Sequence, residues 1–355
     1  MADPTYIFGI ETSCDETSCA VVADGVRVLS NVVASQIDLH ARFGGVVPEV
    51  ASRAHIEAIN TVIDSALAQS SLKAADIGAV AVTNEPGLIG SLLVGLMAAK
   101  TLAWVWDRPL VGVNHIYAHA YSPALDEEPI AYPAVALICS GGHTALYHCR
   151  GSVELELMGS TIDDAAGEAF DKVAGILNLG YPGGPVIDHV AALGNPKAVR
   201  FPRSLMSGGS LDFSFSGLKT AVLYHVNGAP GRRRKARPPQ DGGAGKGAAN
   251  LTQQELADVA ASFQAAVVDV LTAKLRRAAK ATGAKTMIIG GGVSANTALR
   301  RAAKELGDRC RCTLRLPAMK YCMDNAAQTA GLAWHYLRAG RTADLDLEAY
   351  ATVRR

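Results

Sequence analysis

His115 and His119, in the run GVNHIYAHA, carry the first chemistry legible in this chain. Residues four apart on a helix project from the same face, one above the other. Two imidazoles so placed can hold Zn²⁺ or a transition-metal ion, with a carboxylate from elsewhere completing the site. Ile116 stands where the zinc-protease motif H-E-x-x-H has its glutamate. The chain therefore lacks the usual base for peptide hydrolysis at this place, which argues against a metalloprotease. Taken alone, such a pair is more often a helix with two surface or buried imidazoles than a metal site.

Other polar residues cluster with glycines. The stretch TIDDAAGEAFDKVAGILNLGYPGGPVID holds Asp163, Asp164, Glu168 and Asp171 ahead of a Gly-Pro turn, then Asp188. Carboxylates near such a turn suit ribose hydroxyls, and some serve as acids at helix N-termini. Lys219, in FSFSGLKT, meets either a phosphate or solvent. Asp324, in MDNAA, reads as a helix N-cap and equally as a third metal ligand. The run GGGVSAN at 290–296 opens a helix after a strand, where a backbone can approach a nucleotide closely or a glycine can serve packing.

These residues need a scaffold. IFGIETSCDETSCAVVAD and AVALICSGGHTALYHC each read as strand, tight polar turn, strand, and the bend of each can form an anion nest. The two hairpins suggest a duplicated α/β domain. Between them, apolar spacing predicts helices over 48–69 and 89–106, with a strand at 77–83 and another leading into the histidine helix. Thr252-Gln253-Gln254-Glu255 is a capping box opening a helix that ends near Gly283, followed by the strand Met287–Ile289.

The chain has 355 residues, 49% hydrophobic and 19% charged, with net charge +1. That length suffices for two domains with cores of their own. Near-neutral charge means that a nucleic-acid partner must be held by a local patch. One candidate is 228–249, GAPGRRRKARPPQDGGAGKGAA, which has six Lys/Arg against one Asp and reads as a disordered basic loop able to touch RNA phosphates or simply solvated. Seven cysteines at irregular spacing, with no leader pattern at the start, read as reduced cytoplasmic thiols. No apolar run is expected to span a bilayer, so no membrane partner is expected.

Taken together, these motifs resemble one family. GIETSCDETSCAVV, HARFGGVVPEVASRAHIEAI, PGLIGSLLVG, NHIYAHAYS, SGGHTALY, DDAAGEAFDKVAGILNLGYPGGPVID, FSFSGLKTAV, GGVSANTALR and MDNAAQTAGLAW are similar to, and in the order of, the tRNA N6-adenosine threonylcarbamoyltransferases. The resemblance implies duplicated actin-like/Hsp70/sugar-kinase (RNase H-like) α/β domains with a nucleotide cleft between them. The first would span 1–132, completed by 325–355, and the second 133–324. It implies transfer of threonylcarbamoyl from threonylcarbamoyl-AMP to the adenosine 3′ of the anticodon, in tRNAs reading codons that begin with A. His115, His119 and Asp324 would bind a metal ion, Fe²⁺ in the first instance and Zn²⁺ as the alternative. Ile138, Cys139, Ser140, Gly141 and Gly142 would hold phosphate and substrate. Asp171, Gly184 and Asp188 would meet the ribose or adenosine side, and Asn296 the base. Glu11, Asp15 and Glu16 would line the same cleft, with Glu16 the candidate catalytic base. An inactive paralogue and a small ATPase would be partners, in the cytoplasm. One departure stands out: where the family commonly has Gly-Pro-Gly, this chain has Glu85-Pro86-Gly87.

Overall fold

In this computed structural model, residues 3–228 and 247–353 are described. The basic run at 228–249 therefore lies, apart from its ends, outside the described residues. The chain divides into two compact units, 1–132 with 149–155 and 315–355, and 133–148 with 156–314.

The first unit opens with the strands β1 (Tyr6–Glu11), β2 (Glu16–Ala23) and β3 (Arg27–Ser35). The short helix α1 (Ile37–Ala41) and the long α2 (Pro48–Ser70) follow, then β4 (Ile77–Glu85), α3 (Ile89–Trp106), β5 (Leu110–Asn114) and α4 (His115–Tyr121). The sheet order is β3-β2-β1-β4-β5, with β1 antiparallel to β2 and parallel to β4. β1 and β2 are buried almost throughout, as strands covered on both faces must be. Phe8, Ile10, Cys19, Val21, Val80 and Val82 form one core with α2 and α3. The alternate residue Gly9 lies on the other face, where a Cβ would come within 2.6 Å of the Ala326 carbonyl oxygen. Only glycine lets the last helix lie this close to β1.

The second unit is built on β6 (Ala134–Cys139), most of β7 (Thr144–Gly151) and most of β8 (Glu154–Ser160), then the helices α5 (Ala166–Ile176), α6 (Gly183–Ala191), α7 (Ser216–Asn227) and α8 (Gln253–Thr282). β9 (Thr286–Gly290), α9 (Thr297–Cys310) and β10 (Thr313–Arg315) follow, and the sheet runs β10-β9-β6-β7-β8. The capping box at Thr252 forms: its hydroxyl accepts the Glu255 N–H, and Glu255 accepts the Thr252 N–H. Gly291, at φ +85°, would drive a Cβ to 2.4 Å from the Cys139 carbonyl oxygen. Packing of the 290–296 turn onto β6 thus accounts for this glycine. Helix α9 starts only after a 3-10 turn, at the N-cap Asn296.

The last helix, α10 (Ala326–Arg338), belongs to the first unit. The expected boundary at 324/325 falls instead at 314/315. The extra ten residues are tied to the first unit by specific bonds: the Arg315 guanidinium donates to the Pro123 and Glu128 carbonyls, and Lys320 and Tyr321 donate to Asp126. The expectation about apolar runs also needs correcting. Helices α3 and α8 are long and apolar enough to cross a bilayer by length and composition. Both pack in the fold: α8 is mostly buried, and α3 lies against β4 and α2.

Candidate metal centre and the glycine turn

Helix α4 is short, and His115 is its first residue because Asn114 caps it. Asn114 Oδ1 accepts the N–H groups of Ile116 at 2.9 Å and Tyr117 at 3.2 Å. The Asn114 amide in turn donates to Glu85 Oε1 at 3.0 Å. The Glu85 carboxylate is thus bound to the cap of the histidine helix.

Asn325, and not Asp324, caps α10, accepting the Gln328 N–H. The Asp324 carboxylate is turned to the histidines: Oδ1 lies 3.0 Å from His119 Nε2 and 3.7 Å from His115 Nε2. The two rings meet edge to face with centroids 4.6 Å apart. One ligand atom from each of the three residues falls within 4.8 Å of the others. Both ring nitrogens of His119 are buried and lack a hydrogen-bond partner, so the 3.0 Å approach to Asp324 is a close contact without hydrogen-bond alignment. A buried polar atom left unpaired costs about 1–3 kcal/mol, which a shared cation would offset. Two imidazoles and a carboxylate are a donor set for Zn²⁺ or Fe²⁺. The residues fit a metal ion.

Glu11 is wholly buried behind His115. Burial works against charge on either group, yet their mutual attraction prevails. The Glu11 carboxyl is held below its ordinary value, while Asp324 and Glu11 hold His115 up at about 9. Glu16 differs. Burial, with Asp324 and Asp15 adding to it, pushes its carboxyl up to about 10, and Ser35 Oγ donates to it at 3.3 Å. Raised in this way, the carboxyl works against the role of base expected of Glu16.

Neighbouring hydroxyls carry signals too weak to single out in sequence. The Thr83 hydroxyl donates to Glu11, the Ser13 hydroxyl lies 3.1 Å from His115 Nδ1 while its N–H donates to Glu11, and Thr12 locks the hairpin bend to α3 by donating to the Ser91 carbonyl at 2.8 Å. Each is a Ser or Thr at the end of an apolar strand, a pattern that many strands share.

In the second unit, Ile138 and Cys139 are fully buried strand residues, so their side chains belong to the core. The turn after them is a different environment. Ser140 N–H donates to the His143 carbonyl and Ser140 Oγ accepts the His143 N–H, while Gly141 and Gly142 are exposed with open space around them. Asp188, Asn296 and Thr297 form one bonded cluster. Asp188 accepts from the Asn296 amide at 3.2 Å and from the Thr297 N–H and hydroxyl at 3.0 and 2.9 Å. Asn296 also donates to Gln264 at 2.7 Å, a residue that the sequence reading did not single out. Asp171 accepts the Gly183 N–H at 2.7 Å, and a Cβ at Gly184 would meet nothing within 4 Å. Asp163 caps the start of α7 by accepting from Phe215 and Ser216, and Lys219 pairs with Asp164 at 2.9 Å.

Comparison with solved structures defines the class. T. kodakarensis HypF aligns over 95% of this chain and 48% of its own with a TM-score of 0.61 at 14% identity. Component A of the Acidaminococcus fermentans (R)-2-hydroxyglutaryl-CoA dehydratase aligns over 94% and 99% with a TM-score of 0.52 at 15% identity. The fold is that of the actin-like/sugar-kinase α/β proteins, here with a candidate metal triad in the first unit. A family model described as tRNA N6-adenosine threonylcarbamoyltransferase matches residues 27–331. Relatives of that name are 50% identical in Syntrophotalea carbinolica, over 96% of this chain and 94% of theirs, and 50% identical in Symbiobacterium thermophilum, over 97% and 95%. The chain belongs to the tRNA N6-adenosine threonylcarbamoyltransferase family.

Proposed function

We propose that this chain transfers the threonylcarbamoyl group of threonylcarbamoyl-AMP to N6 of the adenosine 3′ of the anticodon, in tRNAs reading codons that begin with A, and releases AMP. The observation that carries this is the triad of His115, His119 and Asp324, gathered within 4.8 Å in a chain of this family. The buried Ile116 in place of a glutamate leaves the peptidase reading without its base. Presence of all three ligands speaks against an inactive scaffold.

The exocyclic amine of adenosine is a weak nucleophile, because its lone pair is delocalised into the ring. An acyl phosphate donor answers that: the new N–C bond forms as the C–O bond to phosphate breaks, and AMP departs with the electron pair. The bound ion, Fe²⁺ or Zn²⁺, would supply Lewis-acid stabilisation of developing negative charge. His115, His119 and Asp324 would hold it. Gly141 and Gly142 would direct backbone N–H groups at phosphate. Asp171, Gly184 and Asp188 would face the ribose or adenosine side, and Asn296, oriented by Gln264, the base. The N6 proton then passes to an oxygen of the departing phosphate, with no call on Glu16. Partner proteins of the same system, an inactive paralogue and a small ATPase, would complete the cytoplasmic assembly.

The test is a transfer assay with threonylcarbamoyl-AMP, unmodified tRNA and the partner proteins. His115→Ala combined with His119→Ala should abolish transfer. Full activity in that variant would overturn the metal role, and failure of the unaltered chain to modify tRNA would overturn the function.

A further inference from the structure

A line of buried polar groups runs from the nitrogen of His115 that faces away from Asp324. Glu11, Thr83 and Thr329 have no solvent exposure, and Ser13 has 2%. Glu11 Oε2 lies 3.4 Å from His115 Nδ1 and accepts the Thr83 hydroxyl at 2.5 Å. Because Thr83 has one proton and gives it to Glu11, Thr329 must be the donor in the 3.0 Å contact between the two threonines. Glu11 Oε1 accepts the Ser13 N–H at 2.6 Å, and Ser13 Oγ stands 3.1 Å from the same His115 Nδ1. Strands β1 and β4 and helices α4 and α10 each contribute one member.

A carboxylate buried this deeply is destabilising unless it is fully paired. Each oxygen of Glu11 has a donor, and a carboxylate can only accept. In its contact with Glu11, His115 therefore presents the N–H of Nδ1, and loss of the other ring proton, which a bound ion would displace, leaves the lone pair on Nε2, the nitrogen that faces Asp324. A histidine that binds a metal commonly donates its other N–H to a carboxylate, which sets both tautomer and ring angle. Resting on the metal site proposed above, we propose that Glu11 is a positioning residue that holds His115 with Nε2 aimed at the ion. Thr83 and Thr329 fix Glu11 in turn and couple its place to α10, the helix that follows Asp324.

Co²⁺ is a suitable probe, since its visible bands report ligand number and geometry. The full chain is stripped of metal, its Co²⁺ affinity is measured by competition with a chelator, and the metal-free protein is melted in parallel. Glu11→Gln keeps the size of the side chain and removes its charge. It should weaken Co²⁺ binding about 10–100-fold and shift the bands. Thr83→Val leaves Glu11 in place but removes its anchor, and should weaken binding in the same direction. If Glu11→Gln does not fold, Thr83→Val decides by the same criterion. Folded variants that bind Co²⁺ as tightly as the unaltered chain, with unchanged bands, overturn the proposal even if they melt earlier, because that result marks a structural role only. Failure of the unaltered chain to bind Co²⁺ overturns the metal reading, and this proposal with it. Binding that His119→Ala abolishes but Glu11→Gln leaves intact overturns this proposal alone.

Discussion

Asn114 joins the start of the histidine helix to the end of β4: its Oδ1 caps α4 while its amide donates to Glu85 Oε1 at 3.0 Å. His115 follows the cap directly, so whatever orients Asn114 orients the first metal-ligand candidate. Glu85→Gly should lower stability by about 0.5–1.5 kcal/mol, the ordinary worth of one hydrogen bond. Asn114→Ala should cost about 1–2 kcal/mol through loss of the cap. Denaturant melts of both variants test this, and an Asn114→Ala variant as stable as the parent would dissociate the cap from the fold.

Metal should stabilise the folded chain through the triad. A ligand held at 100 times its dissociation constant adds about 2.7 kcal/mol to stability. Zn²⁺ added to the stripped protein should therefore raise its melting temperature, and a chelator should reverse the rise. Asp324→Asn keeps the shape of the side chain but loses its charge, and should abolish most of the shift. An equal shift in parent and variant would remove Asp324 from the ligand set.

Glu16 is 3% exposed and its carboxyl is pushed up to about 10. Glu16→Gln should therefore leave the transfer rate close to that of the parent. A general base contributes about 10²–10⁴-fold, so a loss of that size in kcat/KM would restore Glu16 as the base.

Asp126 supplies an acid-sensitive clip. It accepts the Val28 N–H at 2.9 Å, the Tyr321 hydroxyl at 2.7 Å and the Lys320 ammonium at 3.0 Å. Burial opposes its charge, but the bonds from Tyr321, Val28 and Lys320 together hold it below the ordinary 3.8. A carboxyl depressed in the folded state stabilises above its unfolded value, and the gain is lost as pH falls through the folded one. Since Asp126 is exposed, this gain should not exceed about 1 kcal/mol. Parent and Asp126→Asn should differ in stability at neutral pH and converge in acid below pH 3.8, as read from urea melts. A difference that persists undiminished in acid would assign the effect to packing instead.

Much of the site was local enough to read directly. The four-residue spacing places His115 and His119 on one helix face because helical periodicity is a property of neighbouring residues. The capping box at Thr252 was legible for the same reason, and the order of the motifs carried the family. Other assignments depended on groups far apart in the chain. Asp324 and Asn325 are adjacent and either can cap a helix; the choice fell to Asn325, and the Asp324 carboxylate was left to face the histidines. Gly291 reads in sequence as either a nucleotide turn or a packing glycine, and β6 pressed against it accounts for it by packing. Ile138 and Cys139 belong to a substrate motif yet lie in the core, since a strand buries its side chains whatever its loop binds. The sequence by itself determined the family, the elements and the two histidines on one face. Only the tertiary structure decided which nitrogen of His115 meets Glu11, because β1, β4, α4 and α10 meet through long-range packing that no local spacing encodes.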